Sequence, residues 1–413
     1  MRALLLGLCI APLGCLQPNP DYLGLTATGE ITGSSTTARP ESSGPSSGPT
    51  NADGSGGSGS GTGEPPSPEL SCGEALCFAA VRCFETSGSP FRVGVAEIDG
   101  DGHDDVVTLN DDGSGIEVWL AGADGSIASV ANYGSDVKPL ALAAIDADQD
   151  GLDEIAVGGG APAGVVLFDP IEEWRRSLDV EGDVASLGVA DADGDGVDDL
   201  AFVTLGETFL SWARGGEDGS FELGDPTKID GSPVVMILAR LGDDAVPDAV
   251  VGVEQSGLVT VFAGNDAPGF EAGVASQVGR RPYGFATADL NHDGEPEVVL
   301  TSSTPGSIDV LVRDGELSYA SKASISLSET AGQLALADFD RDGQPEIVVA
   351  MRTVPQLRVY AVDAELEYAD PVELSLPGNG DALAVGDFDA DGQPDVVATV
   401  RDESQVCVVL NDM

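Results

Sequence analysis

Seven acidic clusters recur along the 413-residue chain, starting at residues 97, 146, 191, 240, 289, 338 and 387. The intervals are 49, 45, 49, 49, 49 and 49 residues. A period of this length means one supersecondary unit copied, each copy burying its apolar face only against the next. In the second copy short β-like runs lie at Leu140–Ala144, Ile155–Val157 and Val165–Phe168, with a fourth near Leu178. Four strands per period is the content of a propeller blade, and seven blades close a ring. The fold class expected is therefore all-β, a seven-bladed β-propeller spanning residues 71–413 as one domain. The 55 Gly and 25 Pro suit the many turns of such a fold and argue against long helices.

Within each copy the acidic residues keep a fixed internal spacing, with oxygen-bearing side chains at positions 1, 3, 5 and 9 of a loop and Gly at position 6. The six complete sets are Glu97, Asp99, Asp101, Asp105; Asp146, Asp148, Asp150, Glu154; and Asp191, Asp193, Asp195, Asp199. The others are Asp289, Asn291, Asp293, Glu297; Asp338, Asp340, Asp342, Glu346; and Asp387, Asp389, Asp391, Asp395. With the main-chain carbonyl at position 7, these oxygens can wrap one hard cation, and carboxylate and carbonyl ligands without sulfur or imidazole favour Ca²⁺. Six ions are expected, one per intact loop. An EF-hand requires a bidentate Glu at position 12, where these loops carry Thr108, Val157, Phe202, Leu300, Val349 and Ala398. The fourth copy departs from the pattern, with Arg240, Gly242 and Ala245 at positions 1, 3 and 6. No ion is expected there, and the Arg240 guanidinium is expected to pair with Asp244 or Asp248 in its place.

The last copy shows only three strands, Leu383–Val385, Val396–Val400 and Val406–Leu410. An apolar, strand-like segment, Leu76–Thr86, precedes the first copy, and ring closure by this segment would cover the open edge of the last blade. Closure brings Cys407 near the N-terminal cysteines. Two pairings satisfy it: Cys83–Cys407 with Cys72–Cys77, or Cys77–Cys407 with Cys72–Cys83.

The Asp-rich loops, Gly160-Ala161-Pro162 in the second copy and the Leu-Ala-Val-Gly-Asp-Phe-Asp run at 383–389 resemble the FG-GAP or VCBS-type repeats of the integrin α-subunit N-terminal propeller and its bacterial relatives. The resemblance covers about residues 88–413. It implies a calcium-bearing propeller of the kind used in adhesion and in glycan or protein binding, and sometimes found beside catalytic domains.

Ahead of the propeller, residues 1–14 carry one Arg, a short apolar run and small residues before Cys15. This resembles a bacterial lipoprotein signal, with lipid on Cys15, although Pro12 stands where that signal carries Leu; an ordinary secretory signal cut elsewhere is the alternative. The apolar run is too short to cross a bilayer. Residues 15–70, rich in Ser, Gly, Thr and Pro, read as a disordered linker. Localisation is thus expected at the cell envelope, on the outer membrane or cell surface, with secretion as the alternative, and membrane contact only through the lipid.

Charge narrows the partners. With 71 acidic against 18 basic residues the net charge is −53, which excludes a nucleic-acid partner. His103 and His292 both fall inside metal loops, so no Ser-His-Asp or Cys-His set exists. The dense carboxylate clusters are accounted for by the loops rather than by acid–base catalysis. Trp119 and Trp212 are expected between blades, whereas Trp174 lies in a polar stretch. A monomeric, non-enzymatic binding or adhesion module for a surface protein or glycan is the function expected. The alternatives are a calcium-dependent polysaccharide lyase using an Arg or Lys on the propeller face, or a structural envelope scaffold; against the lyase, no basic residue clusters with a His or Tyr in the sequence.

Overall fold

The computed structural model describes residues 71–413 apart from 73–75, 112–114, 135–136, 161–163, 172–173, 243–245, 255–256, 266–268, 279–280, 304–305 and 412–413. The expected signal, lipidated Cys15 and linker lie outside the described residues, as do Ala161 and Pro162 and, in the fourth loop, Asp244 and Ala245.

Seven antiparallel sheets of successive strands form the blades of a ring. Their innermost strands are Pro90–Ala96, Lys138–Ile145, Asp183–Ala190, Pro233–Ala239, Pro282–Ala288, Ala331–Ala337 and Gly380–Gly386. Each packs against the innermost strand of the next blade, and that of blade 7 against that of blade 1, which closes the circle. Strands of the second copy run Lys138–Ile145, Glu154–Gly160, Gly164–Phe168 and Arg175–Leu178, in the order read from the sequence. Helix among the described residues is one 3₁₀ turn, Arg401–Glu403.

The core is divided. Seven apolar clusters fill the seven seams between adjacent blades, built chiefly from Val, Ala, Leu and Ile. Short branched side chains suit wedge-shaped seams that narrow toward the axis. Trp119 and Trp212 are buried in two of these seams, and Trp212 meets the edge of Phe270.

Closure follows the sequence expectation. Arg82–Glu85 pairs with Gln405–Val409 and becomes the outer strand of blade 7. Cys83 faces Cys407 across that pairing, and the two form a disulfide. Cys77 is also disulfide-bonded, and the short pairing of Ser71–Cys72 with Cys77–Phe78 sets Cys72 opposite it in backbone register. Phe78, fully buried, stands edge-on to Phe339 at 5.4 Å in the seam between blades 6 and 7.

Candidate functional site

Every acidic loop joins the innermost strand of its blade to the second, so all seven emerge on one face of the ring. The intact loops share a set of local bonds. In loops 5, 6 and 7 the position-1 carboxylate receives N–H groups from positions 5 and 6: Asp289 from Asp293 and Gly294, Asp338 from Asp342 and Gly343, and Asp387 from Asp391 and Gly392. The position-5 Oδ1 receives the N–H of position 7 in all six intact loops, at 2.8–2.9 Å. Position 6 is glycine because its φ lies between 79° and 90° in these loops, a left-handed conformation that other residues adopt only under strain.

Position 9 works differently. Its carboxylate is buried, and one oxygen accepts the N–H of position 2 in every repeat: Ile98 to Asp105, Ala147 to Glu154, Ala192 to Asp199, Leu241 to Asp248, Leu290 to Glu297, Phe339 to Glu346 and Phe388 to Asp395. Where the residue is Asp, the second oxygen accepts an N–H at the end of the third strand, from Ala121, Gly215, Gly264 or Asn411. Asp248 makes both bonds in the degenerate fourth repeat. The position-9 acid therefore pins loop to blade whether or not the other ligand positions survive.

Three carboxylates converge, with oxygens within 4.8 Å of one another, in five loops: Glu97, Asp99 and Asp101; Asp146, Asp148 and Glu154; Asp191, Asp193 and Asp199; Asp338, Asp340 and Glu346; Asp387, Asp389 and Asp395. Asp105, Asp150, Asp195, Asp342 and Asp391 stand outside these triplets. In the fifth repeat the Asn291 amide donates to Glu297 at 2.9 Å, beside Asp289 and Asp293. Burial, reinforced by the neighbouring carboxylates, raises the position-9 groups: Asp199 to about 6, Asp105 and Glu297 to about 7, and Glu154, Glu346 and Asp395 to about 8.

Loops 2 and 3 are opposites. In loop 2 the Oδ1 atoms of Asp146 and Asp148 are buried with no hydrogen-bond partner among the described residues, and Asp169, at the end of the third strand, adds a further charge that helps raise Glu154. A divalent cation fits this donor set of unpartnered, buried carboxylate oxygens. In loop 3 the residue in register with Asp169 is Arg214. Its Nε meets Asp193 and its terminal nitrogen meets Asp195, both at 2.6 Å. The sequence reading counts loop 3 as intact and misses this residue, which lies 15 residues beyond the motif. The other blades carry Leu120, Ala263, Val312, Ala361 and Leu410 at that place.

Neighbouring loops are also tied to each other. Asp104, at position 8 of loop 1, accepts the Asp387 N–H of loop 7 at 2.7 Å, and Asp153 accepts that of Glu97 at 2.8 Å. Asp198 takes the same bond from Asp146. Repeats 4 to 7 carry Pro247, Pro296, Pro345 and Pro394 at position 8.

The opposite face has a different character. The innermost strands begin there, and every one carries a register shift near its start, at residues such as Tyr283, Gly332-Gln333 and Asp381-Ala382. These bulges ring a cavity of about 340 Å³ at the end of the central channel, whose lining includes Arg92, Arg281, Tyr283, Gln333 and Arg352. The Tyr283 hydroxyl donates to Asp381 at 2.8 Å, Arg352 Nε meets the same Asp381 oxygen at 2.7 Å, and the Arg352 guanidinium lies 4.6 Å from the Tyr283 ring centre. This corrects the sequence reading, in which no basic residue clusters with a Tyr: residues 69 positions apart in the chain meet because the bulged start of the innermost strand of blade 5 faces the turn after the second strand of blade 6. Burial holds the Tyr283 phenol above its ordinary range, and Asp381 adds to the shift. Trp174, partly buried, is covered by Arg176 at 4.8 Å.

Residues 289–349 match the family of FG-GAP-like repeats. The fold is similar to a chain in the crystal structure of BBS1N in complex with ARL6DN, with TM-score 0.61 and 13% identity over 81% of this chain and 97% of that one. It is also similar to an Agrocybe aegerita lectin solved for its recognition of non-reducing terminal N-acetylglucosamine, with TM-score 0.52 and 16% identity over 82% and 96% of the two chains. No curated protein sequence matches the chain. At these identities the likeness is one of fold: a seven-bladed propeller carrying an FG-GAP-like repeat.

Proposed function

We propose that this chain is an exported, calcium-stabilised propeller that binds a glycan or protein at the cell surface, held there by lipid on Cys15 and the linker of residues 15–70, and that it does not turn its ligand over. The observation that carries the calcium reading is loop 2, where Asp146 and Asp148 bury carboxylate oxygens that no group among the described residues satisfies. Positions 1, 3 and 5, the carbonyl of position 7 and the position-9 acid would hold each ion; its charge would neutralise the loop and fix it to its blade. Loop 3 supplies its own cation in Arg214, so five ions are proposed, in loops 1, 2, 5, 6 and 7.

A lyase-type reading draws support from the Tyr283–Arg352–Asp381 cluster, because a tyrosine beside an arginine is a plausible proton-abstracting pair. The direction of the Tyr283 shift counts against it. A phenol raised by burial stays protonated and donates to Asp381, which suits a binding surface better than a base. An array of bacterial polysaccharides and surface extracts, probed with the full protein in calcium and again in chelator, tests the reading. Calcium-dependent retention without new chain ends supports the binding module. New unsaturated or reducing ends overturn it in favour of the enzyme.

A further inference from the structure

We propose that the Arg-bearing mouth of the central channel, on the face away from the acidic loops, is a binding site for an acidic sugar whose carboxylate is held between Arg92 and Arg352. The inference deepens the binding-module reading and rests on it.

Charge distribution is the first argument. The chain has only 18 Lys and Arg against 71 acids, yet Arg92, Arg281 and Arg352 line one cavity together with a single acid, Glu254. Glu254 is engaged by Arg281 at 2.7 Å. Arg92 donates from one nitrogen to the neighbouring Phe91 carbonyl, and Arg352 engages Asp381 through Nε. Among the described residues no acceptor meets the terminal nitrogens of Arg352 or the remaining ones of Arg92. A carboxylate takes two such donors side by side, and guanidinium groups present them in a fixed plane.

Preorganisation is the second. Arg352 is held from two sides, by Asp381 of blade 7 and by the ring of Tyr283 of blade 5, so little side-chain freedom is lost when a ligand arrives. The third is a polar group in the wall: Gln333 lines the cavity and offers its amide to a ligand there.

Size and lining select the class. About 340 Å³ lies at the lower end of the range for small-ligand sites. It accommodates one or two sugar units and excludes a folded segment. Ser186, Ser303 and Gln333 offer hydroxyl and amide groups to sugar hydroxyls, while Val234, Pro282 and Tyr283 offer apolar surface to the ring. A uronate carries all three features: carboxylate, hydroxyls and an apolar ring face.

Titration calorimetry of the full, calcium-loaded protein with digalacturonate, and with its methyl ester, tests the assignment. Digalacturonate is expected to bind, and the ester, identical but uncharged, at least about tenfold more weakly. Arg92→Gln and Arg352→Gln are each expected to lower affinity about tenfold or more, with calcium stoichiometry and melting temperature reported alongside. Lys322→Gln, which removes an exposed charge elsewhere, is expected to change nothing. Should Arg352→Gln leave Asp381 uncompensated and unfold, Arg92→Gln still decides. Equal binding of acid and ester, unchanged affinity in folded Arg92→Gln, or no binding of digalacturonate overturns the proposal. If digalacturonate fails while the array yields another ligand, the channel-mouth assignment falls and the binding module stands; if nothing is retained, both fall.

Discussion

Arg214 shows how one side chain can change the chemistry of a repeat whose motif is complete. Its guanidinium lies against Asp193 and Asp195 at 2.6 Å and occupies the charge that a cation would otherwise supply. Arg214→Ala is therefore expected to raise the number of bound calcium ions from five to six, counted by native mass spectrometry or equilibrium dialysis. Six ions on the unaltered protein, with no gain in the variant, would contradict this reading of loop 3. Asp248 teaches the complementary lesson. It keeps the position-9 bonds to Leu241 and Gly264 in a repeat that carries Arg240 and Gly242 at positions 1 and 3. Asp248→Ala leaves a buried N–H, that of Leu241, and a part-buried one, that of Gly264, without their acceptor, each worth about 1–3 kcal/mol. A loss of about 2–4 kcal/mol in denaturant unfolding is expected, with calcium stoichiometry unchanged. Asp146→Ala is expected to do the reverse in kind, removing one ion from loop 2.

At the level of elements, the blade was legible because its signals are local and repeated. The alternation of apolar runs with Asp-Gly loops fixed the inner and second strands of every repeat, and Leu76–Thr86 was recognisable as a spare strand for an open edge. What stayed hidden depends on contacts between elements. Arg214 reaches loop 3 from the third strand, and the Tyr283–Arg352–Asp381 cluster joins the bulged starts of two innermost strands, at Tyr283 and Asp381, to Arg352 just beyond the second strand of blade 6. Bulges leave no mark in the apolar pattern, since one extra residue changes the direction of side chains without changing composition. The same dependence on distant pieces governs the closing blade, whose outer strand, Arg82–Glu85, is covalently fixed by Cys83–Cys407 across a sequence separation of 324 residues. Releasing a constraint on so long a loop removes about 6 kcal/mol in the chain-entropy view. The double substitution Cys83→Ala and Cys407→Ala is expected to lower the melting temperature by several degrees. Hydrogen exchange should then rise first in Arg82–Glu85 and Gln405–Val409; uniform loss of protection across all blades would mean that closure is not the weakest seam.

Taken as one molecule, the ring is electrostatically polar: carboxylates crowd one face while three arginines line the channel mouth on the other. The loops sit on a common rim and are linked in sequence by Asp104, Asp153 and Asp198, so repulsion within one loop is transmitted to its neighbours. A chain of net charge −53 with its acids gathered this way is destabilised by its own field. Two agents relieve that field differently. Monovalent salt screens exposed charges at any site, with a Debye length of about 10 Å at about 0.1 M. It acts weakly on the buried position-9 groups. Calcium bound only by the folded loops adds about 2.7 kcal/mol per ion at a free concentration of about 100 times its Kd. Melting curves are therefore expected to rise steeply with calcium and level off once the loops fill, to fall markedly in chelator, and to recover only in part when sodium chloride is added to the chelated protein. Full recovery in sodium chloride alone would reduce the loops to a diffuse acidic surface. Recovery with calcium alone would make the rim a set of specific ion sites rather than a diffuse acidic surface.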